Sequence, residues 1–386
     1  VKKRLARLYR REYFWLCVVV IATLAMHFSI IFNPNALVLD EAHYVGDARS
    51  IIQDSKDLRP EHPPLAKLFV VGGILALGDD PWGWRVPAII MGTLSLILFY
   101  LICRKLNLSR RASSLAVFLF GFENFNFLMA SVAMLDVFYL TLMMAFFALY
   151  LYRKHVWSGI FIGLTALAKL YGVMGAPVLL IHWLASRTKR SRWFALTVVL
   201  APLSFVGLMP FFDFAISHQF LNPLARIKEM LDLSGSLTFA NVVHPSLSRP
   251  WAWLLNYNPM PFWYSPHYTG AISLTVWAAM VPTVLFMLYR AFRRDDGGIF
   301  GFAWFFSTFL LWIPISIKTD RASYIYYFYP TIGSLCLGLG MLLNRVLEWA
   351  AERRAFTRRA SQVGVYAFLA LHLLAIVVLS PVFFRS

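Results

Sequence analysis

The chain reads as an all-α polytopic membrane protein, on three features of its 386 residues. Hydrophobic residues make up 59% and charged residues only 14%, a balance too apolar for a soluble domain of this length. Ten apolar stretches are each long enough to cross roughly 30 Å of hydrocarbon. Lysines and arginines gather at alternate ends of those stretches, as cytoplasmic loops require.

The stretches fall at 13–32, 84–103, 113–130, 134–152, 157–185, 193–212, 270–289, 299–317, 323–343 and 363–383. The run 157–185 is too long for one crossing and carries Lys169 and Gly172 near its middle. It therefore divides into two short helices meeting at the far surface, for about eleven transmembrane helices in all. With the N-terminus inside, the cytoplasmic basic set begins with Lys2, Lys3, Arg4, Arg7, Arg10, Arg11, Arg104, Lys105, Arg110, Arg111, Arg153 and Lys154. It continues with Arg187, Lys189, Arg190, Arg192, Arg290, Arg293, Arg294, Arg345, Arg353, Arg354, Arg358 and Arg359. These are 24 of the 36 basic residues, accompanied by only five acids. The net charge of +17 is thus a topology signal: N-terminus cytoplasmic, C-terminus extracytoplasmic, in a plasma membrane. Because the charges sit on short loops beside apolar spans, their partners are anionic membrane lipids and not nucleic acid.

The first stretch is basic and then apolar, like a signal peptide, but it is long and lacks a small-residue cleavage site. It is expected to stay as a first helix. Cys17, Cys103 and Cys336 lie in separate stretches and form neither a disulfide frame nor a zinc motif. No internal repeat divides the chain, so 1–386 reads as a single membrane domain.

Two outer segments are longer than connections need to be, and long ordered loops are usually functional. Segment 33–83 carries Asp40, Glu41, His43, Asp47, Asp54, Asp57, Glu61 and His62, then an apolar Leu65 to Leu77 able to lie on or dip into the surface. Segment 213–269 sets Pro223, Pro245, Pro250, Pro259, Pro261 and Pro266 among Trp251, Trp253, Tyr257, Phe262, Trp263 and Tyr264. Rings with a polar edge favour the headgroup level, so these segments, with loop helices, are expected to cap a cavity at the membrane boundary.

The acids of the first segment have two physical readings. Asp40, just past a span, can cap a helix by accepting from free backbone amides. Alternatively, partial desolvation raises its pKa and makes it a better general base. Asp136 likewise begins a span, where a carboxylate stabilises the amide dipole. Lys169 and Arg321 stand next to spans outside the cytoplasmic clusters; such residues either snorkel to headgroups or serve function. Arg85 can equally anchor a helix end. Asp40, Glu41, His43 and His62 offer oxygen and nitrogen ligands, but their spacing fits no metal motif.

The motifs in order are more telling than each alone. Leu39-Asp40-Glu41 follows the first span, and Glu61-His62-Pro63-Pro64-Leu65-Ala66-Lys67 comes some twenty residues later. Gly83-Trp84-Arg85-Val86-Pro87 opens the second span, and Met134-Leu135-Asp136 the fourth. Ala168-Lys169-Leu170-Tyr171-Gly172, Pro250-Trp251-Ala252-Trp253 and the run Arg321 to Pro330 complete the series. Together they resemble the protein O-mannosyltransferase family, of the multispanning GT-C type of glycosyltransferase, along nearly the whole chain. The resemblance implies a polyprenyl-phosphate-linked mannose-type sugar as donor and a protein hydroxyl as acceptor. It also implies transfer on the extracytoplasmic side with inversion, and it requires no cofactor or metal. Asp40 would be the catalytic base, with Glu41 positioning acceptor or base. Arg85, Lys169 and Arg321 would meet the donor phosphate, and His62, Lys67 and Asp136 would line the substrate cavity.

Three departures from the family pattern stand out. Ser131-Val132 occupies a place where the family often has arginine. The second outer segment, about 55 residues long, has no room for the β-rich lumenal domain of eukaryotic relatives. Tyr326-Tyr327-Phe328 lacks a histidine often found there. Two other readings remain: a sister enzyme delivering another sugar to a glycolipid or polysaccharide hydroxyl, and a transporter or non-catalytic subunit. A transporter favours acids at mid-bilayer in repeated halves; here the acids gather at one surface.

Overall fold

The computed structural model describes residues 11–186, 190–255 and 259–383. Lys2, Lys3, Arg4, Arg7, Arg10, Arg187, Lys189 and Tyr257 from the sequence analysis lie outside the described residues. Every predicted apolar run is helical. Five helices among the described residues are long and apolar enough to cross a membrane: Pro81–Lys105, Phe194–Ser217, Asp296–Thr319, Ile325–Ala351 and Ala355–Leu379. Shorter apolar helices, including Phe14–Ser29, Leu135–Leu151, His155–Ala168 and Met280–Phe292, fill the other runs. The protein is a multi-pass helical membrane protein.

Leu135–Leu151 lies at the centre, with nearly every residue buried, packed between Pro81–Lys105 and His155–Ala168. Apolar residues all round a helix mean a helix with neighbours all round. Tyr329–Ala351 is similarly enclosed, and Gly340 lets it approach Arg110–Gly121 so closely that a Cβ there would collide with Ala112 and Ala116. Phe194–Ser217 and Ala355–Leu379 are instead largely exposed, as lipid-facing helices should be.

The long run 157–185 is broken at Lys169, as expected. His155–Ala168 ends there, Lys169 itself is extended, and a 3₁₀ turn Leu170–Gly175 leads into Ala176–Ala185. The run 113–130, expected to be one span, is a broken helix and not a continuous one. It bends by 57° between Arg110–Gly121 and Asn124–Ser131. Glu123 lies in the break, accepting from the Asn126 amide at 3.1 Å to cap the second piece and from the Ser273 amide at 2.8 Å.

Both long outer segments are ordered into helices. The first holds Glu41–Asp54 and Leu65–Leu77; the second holds Pro223–Ser236 and an antiparallel hairpin of Met260–Trp263 with Tyr268–Gly270. Leu65–Leu77 lies directly against Pro81–Lys105. The turn between them uses Gly78 at φ +100°, a left-handed conformation that glycine adopts without steric cost. Buried charges lace the segments together. Arg226 binds the Pro60 carbonyl at 2.6 Å and Glu229 at 3.0 Å, and reaches Asp57 at 3.4 Å and Asp213 at 3.6 Å. This holds the second segment over the first.

Candidate active site

Two cavities meet beneath these segments. One, of about 400 Å³, is mainly apolar, with Pro63, Leu170, Tyr171, Met174, Leu231, Trp312 and Ile315 in its wall. The other, of about 210 Å³, is the more polar of the two and contains Asp40, His43, Tyr44, Arg59, Tyr324 and Tyr326. They share Glu61, His62, Lys169, Arg321 and Tyr327. An apolar chamber thus opens, past two cations, onto a chamber holding an aspartate.

Asp40 precedes the helix Glu41–Asp54 but makes no capping bond. Its carboxylate faces the polar cavity and accepts from the Tyr326 hydroxyl at 3.4 Å. Burial raises its pKa, against the opposing pull of His43 and Lys169. The capping reading of Asp40 is therefore wrong, and the carboxylate is left available for chemistry.

What holds Asp40 there is its neighbour. Glu41 is fully buried and accepts from the Val38 amide at 3.0 Å, the Ala133 amide at 2.9 Å and both Nε and Nη2 of Arg85 at 3.1 and 2.8 Å. Arg85 gives its remaining donors to the carbonyls of Ile31, Pro34 and Ala36. Arg85, expected at the donor phosphate, is thus corrected to a structural cation: it is inaccessible and its donors are engaged. Glu41 touches neither cavity, so it acts on Asp40 through the backbone and not on substrate.

Lys67 is corrected in the same way. Expected in the substrate cavity, it is fully buried and donates to Asp57 at 2.5 Å and to the Arg59 carbonyl at 2.6 Å, with Asp47 at 3.8 Å. Asp136 lines neither cavity. It receives both bonds of the Lys169 ammonium, each 2.9 Å, and so holds that cation at the cavity junction. An ammonium has three donors, which leaves one for a ligand. The rings of Tyr139, Tyr326 and Tyr327 lie 5.5–5.8 Å from the same ammonium, a further attraction for a cation.

Arg321 reaches both cavities. It forms a β-bridge with Thr238, and Nη1 donates to the carbonyl and hydroxyl of Ser234; Nε and Nη2 form no hydrogen bond within the described residues. His62 also lines both cavities, edge-on to Tyr44. Burial, then Lys169 and Lys67, push its pKa well down, so the ring is neutral and offers hydrogen bonds without charge.

Sequence reasoning missed the tyrosines. Tyr324, Tyr326 and Tyr327 stack in series, with ring centroids 5.4 and 5.3 Å apart, and form a wall from the base to the cations. Their signal was present: four tyrosines at 324, 326, 327 and 329 follow Arg321, far denser than a span requires. Glu61 and Arg59 were also missed as cavity residues. Among the described residues no group of three or more metal-ligating side chains comes together.

The chain is similar to known proteins in sequence and in fold. The family profile described as dolichyl-phosphate-mannose-protein mannosyltransferase matches residues 61–216. The polyprenol-phosphate-mannose–protein mannosyltransferase of Corynebacterium glutamicum is 25% identical, over 96% of this chain and 90% of its own. Its namesake from Mycobacterium tuberculosis is 22% identical over 80% and 76%. Among solved structures, the Saccharomyces cerevisiae protein O-mannosyltransferase Pmt1–Pmt2 complex, bound to the sugar donor, superposes with a TM-score of 0.74. That match has 12% identity and covers 98% of this chain and 91% of that one. ArnT from Cupriavidus metallidurans gives 0.61 at 17% identity, over 94% and 75%. The fold is the one these solved structures share, and the chain is similar in sequence to the protein mannosyltransferases over most of its length.

Proposed function

We propose that this glycosyltransferase moves mannose from a polyprenyl-phosphate donor to a serine or threonine hydroxyl of exported proteins, on the extracytoplasmic side, with inversion at the sugar carbon. One observation carries the reading: an apolar cavity and a polar cavity join at Lys169 and Arg321, with Asp40 beyond them. An isoprenoid fits the first, a saccharide the second, and the phosphate belongs at the cations between.

The chemistry follows from that order. The acceptor hydroxyl enters beside Asp40, whose carboxylate takes its proton as the oxygen attacks the anomeric carbon. The bond from that carbon to phosphate oxygen breaks on the opposite face, which inverts the configuration. Negative charge develops on the leaving phosphate, where Lys169 and Arg321 stabilise it. Asp136 keeps Lys169 in place, and Glu41 with Arg85 keeps Asp40 in place. The basic loops support eleven crossings with the N-terminus in the cytoplasm of a plasma-membrane protein, which puts Asp40 outside.

General-base catalysis contributes about 10²–10⁴ in rate. Asp40→Asn is expected to lose that factor in transfer from polyprenyl-phosphate mannose to an acceptor peptide, while remaining folded and inserted. Wild-type rates in that variant would remove Asp40 from the base role.

A further inference from the structure

Glu61 is the one carboxylate among the described residues that lines both cavities. The other acids around the site are occupied: Glu41 by Arg85, Asp136 by Lys169, Asp47 by Arg59, Asp57 by Lys67, and Asp213 by Arg226. Glu61 engages in no hydrogen bond or ion pair among the described residues. A surface carboxylate in that condition needs only water to explain it, but Glu61 is half-buried and its backbone is fixed from both sides. The carbonyl of Pro60 is held by Arg226 at 2.6 Å. The carbonyl of Arg59 accepts from Lys67 at 2.6 Å and from the His62 amide at 3.1 Å. Buried ions therefore hold an acceptor-only group at the cavity junction, as a preorganised binding group should be held.

The chemistry of a carboxylate narrows its ligand. It repels phosphate, so it cannot serve the part of the donor that Lys169 and Arg321 bind. It accepts from hydroxyls, and its two oxygens match two adjacent hydroxyl donors. Between the phosphate-binding cations and Asp40, the donor presents its sugar ring. Resting on the function proposed above, we propose that Glu61 binds the sugar hydroxyls of the polyprenyl-phosphate donor and so sets which sugar is accepted. Arg59 and His43, paired to each other at 2.7 Å, line the same polar cavity.

The test compares binding of polyprenyl-phosphate mannose with binding of bare polyprenyl phosphate to the purified full-length protein. A hydrogen bond to a charged group, once lost, weakens binding roughly 10- to 100-fold. Glu61→Ala is expected to show that loss for the mannose-bearing lipid and unchanged affinity for the bare one, with Glu61→Gln intermediate because one oxygen remains. Unchanged affinity for the bare lipid also reports that the variant is folded. Equal weakening of both lipids, or weakening of neither, would overturn the assignment. Peptide mannosylation by the wild type is scored separately: its absence alongside the differential binding would refute the transfer reaction and leave the Glu61 assignment standing.

Discussion

A carboxylate takes a proton only when ionised, and the burial that makes Asp40 a stronger base also makes ionisation harder. Its pKa lies above the ordinary value of about 4. The acid limb of kcat/KM is therefore expected above the usual carboxylate range, and to vanish from the residual activity of Asp40→Asn. For stability the sign is opposite. A raised pKa in the folded state means stability that is present at low pH and lost as pH rises through that value. Asp40→Asn should accordingly melt at the same or a higher temperature than wild type at neutral pH, measured by thermal denaturation in detergent. Of the expected site residues, Asp40, His62, Lys169 and Arg321 line the cavities. Arg85, Lys67 and Asp136 were misjudged because their roles depend on partners 44, 10 and 33 residues away. Which partner a charge finds is a property of packing that no local pattern contains.

Among the elements, the two charged clamps differ in what their loss should do. Breaking a buried ion pair leaves an uncompensated charge and costs about 3–5 kcal/mol. Arg85→Ala strands Glu41 and releases the three carbonyls of the segment 31–36, so it should lower thermal stability and expression sharply. Arg85→Lys should not rescue it, since an ammonium has three donors where Arg85 makes five bonds. Arg321→Ala should instead leave stability nearly unchanged and raise KM for the lipid donor more than KM for the acceptor peptide; Lys169→Ala should raise the donor KM likewise, but it also strands the buried Asp136 and lowers thermal stability. Equal increases would mark a structural role. Helix locations were legible from apolar runs, and Lys169 marked one break correctly. The break at Glu123 was not read because one acid in an apolar run looks like a tolerated exception. Its partner amide lies 150 residues away on Ser273.

For the molecule as a whole, charge and architecture give a sidedness that labelling can check. Val243, 98% exposed in the second outer segment, and Arg293, exposed at the end of Met280–Phe292, belong to opposite faces in the proposed topology. A cysteine at 243 should react with a membrane-impermeant maleimide on intact cells, and one at 293 only after permeabilisation. That sidedness is readable as an expectation in the charge pattern. The cap formed by Arg226 is not, since its salt links join segments 169 residues apart.

The joined cavities also dictate the kinetic order of events. On the proposed mechanism, lipid arrives through the greasy chamber and polypeptide through the watery one, and the displacement needs both together, because the acceptor hydroxyl attacks the anomeric carbon directly. Initial-rate plots against either substrate should give intersecting lines, the mark of a ternary complex. Parallel lines would betray a sugar parked on the enzyme between half-reactions.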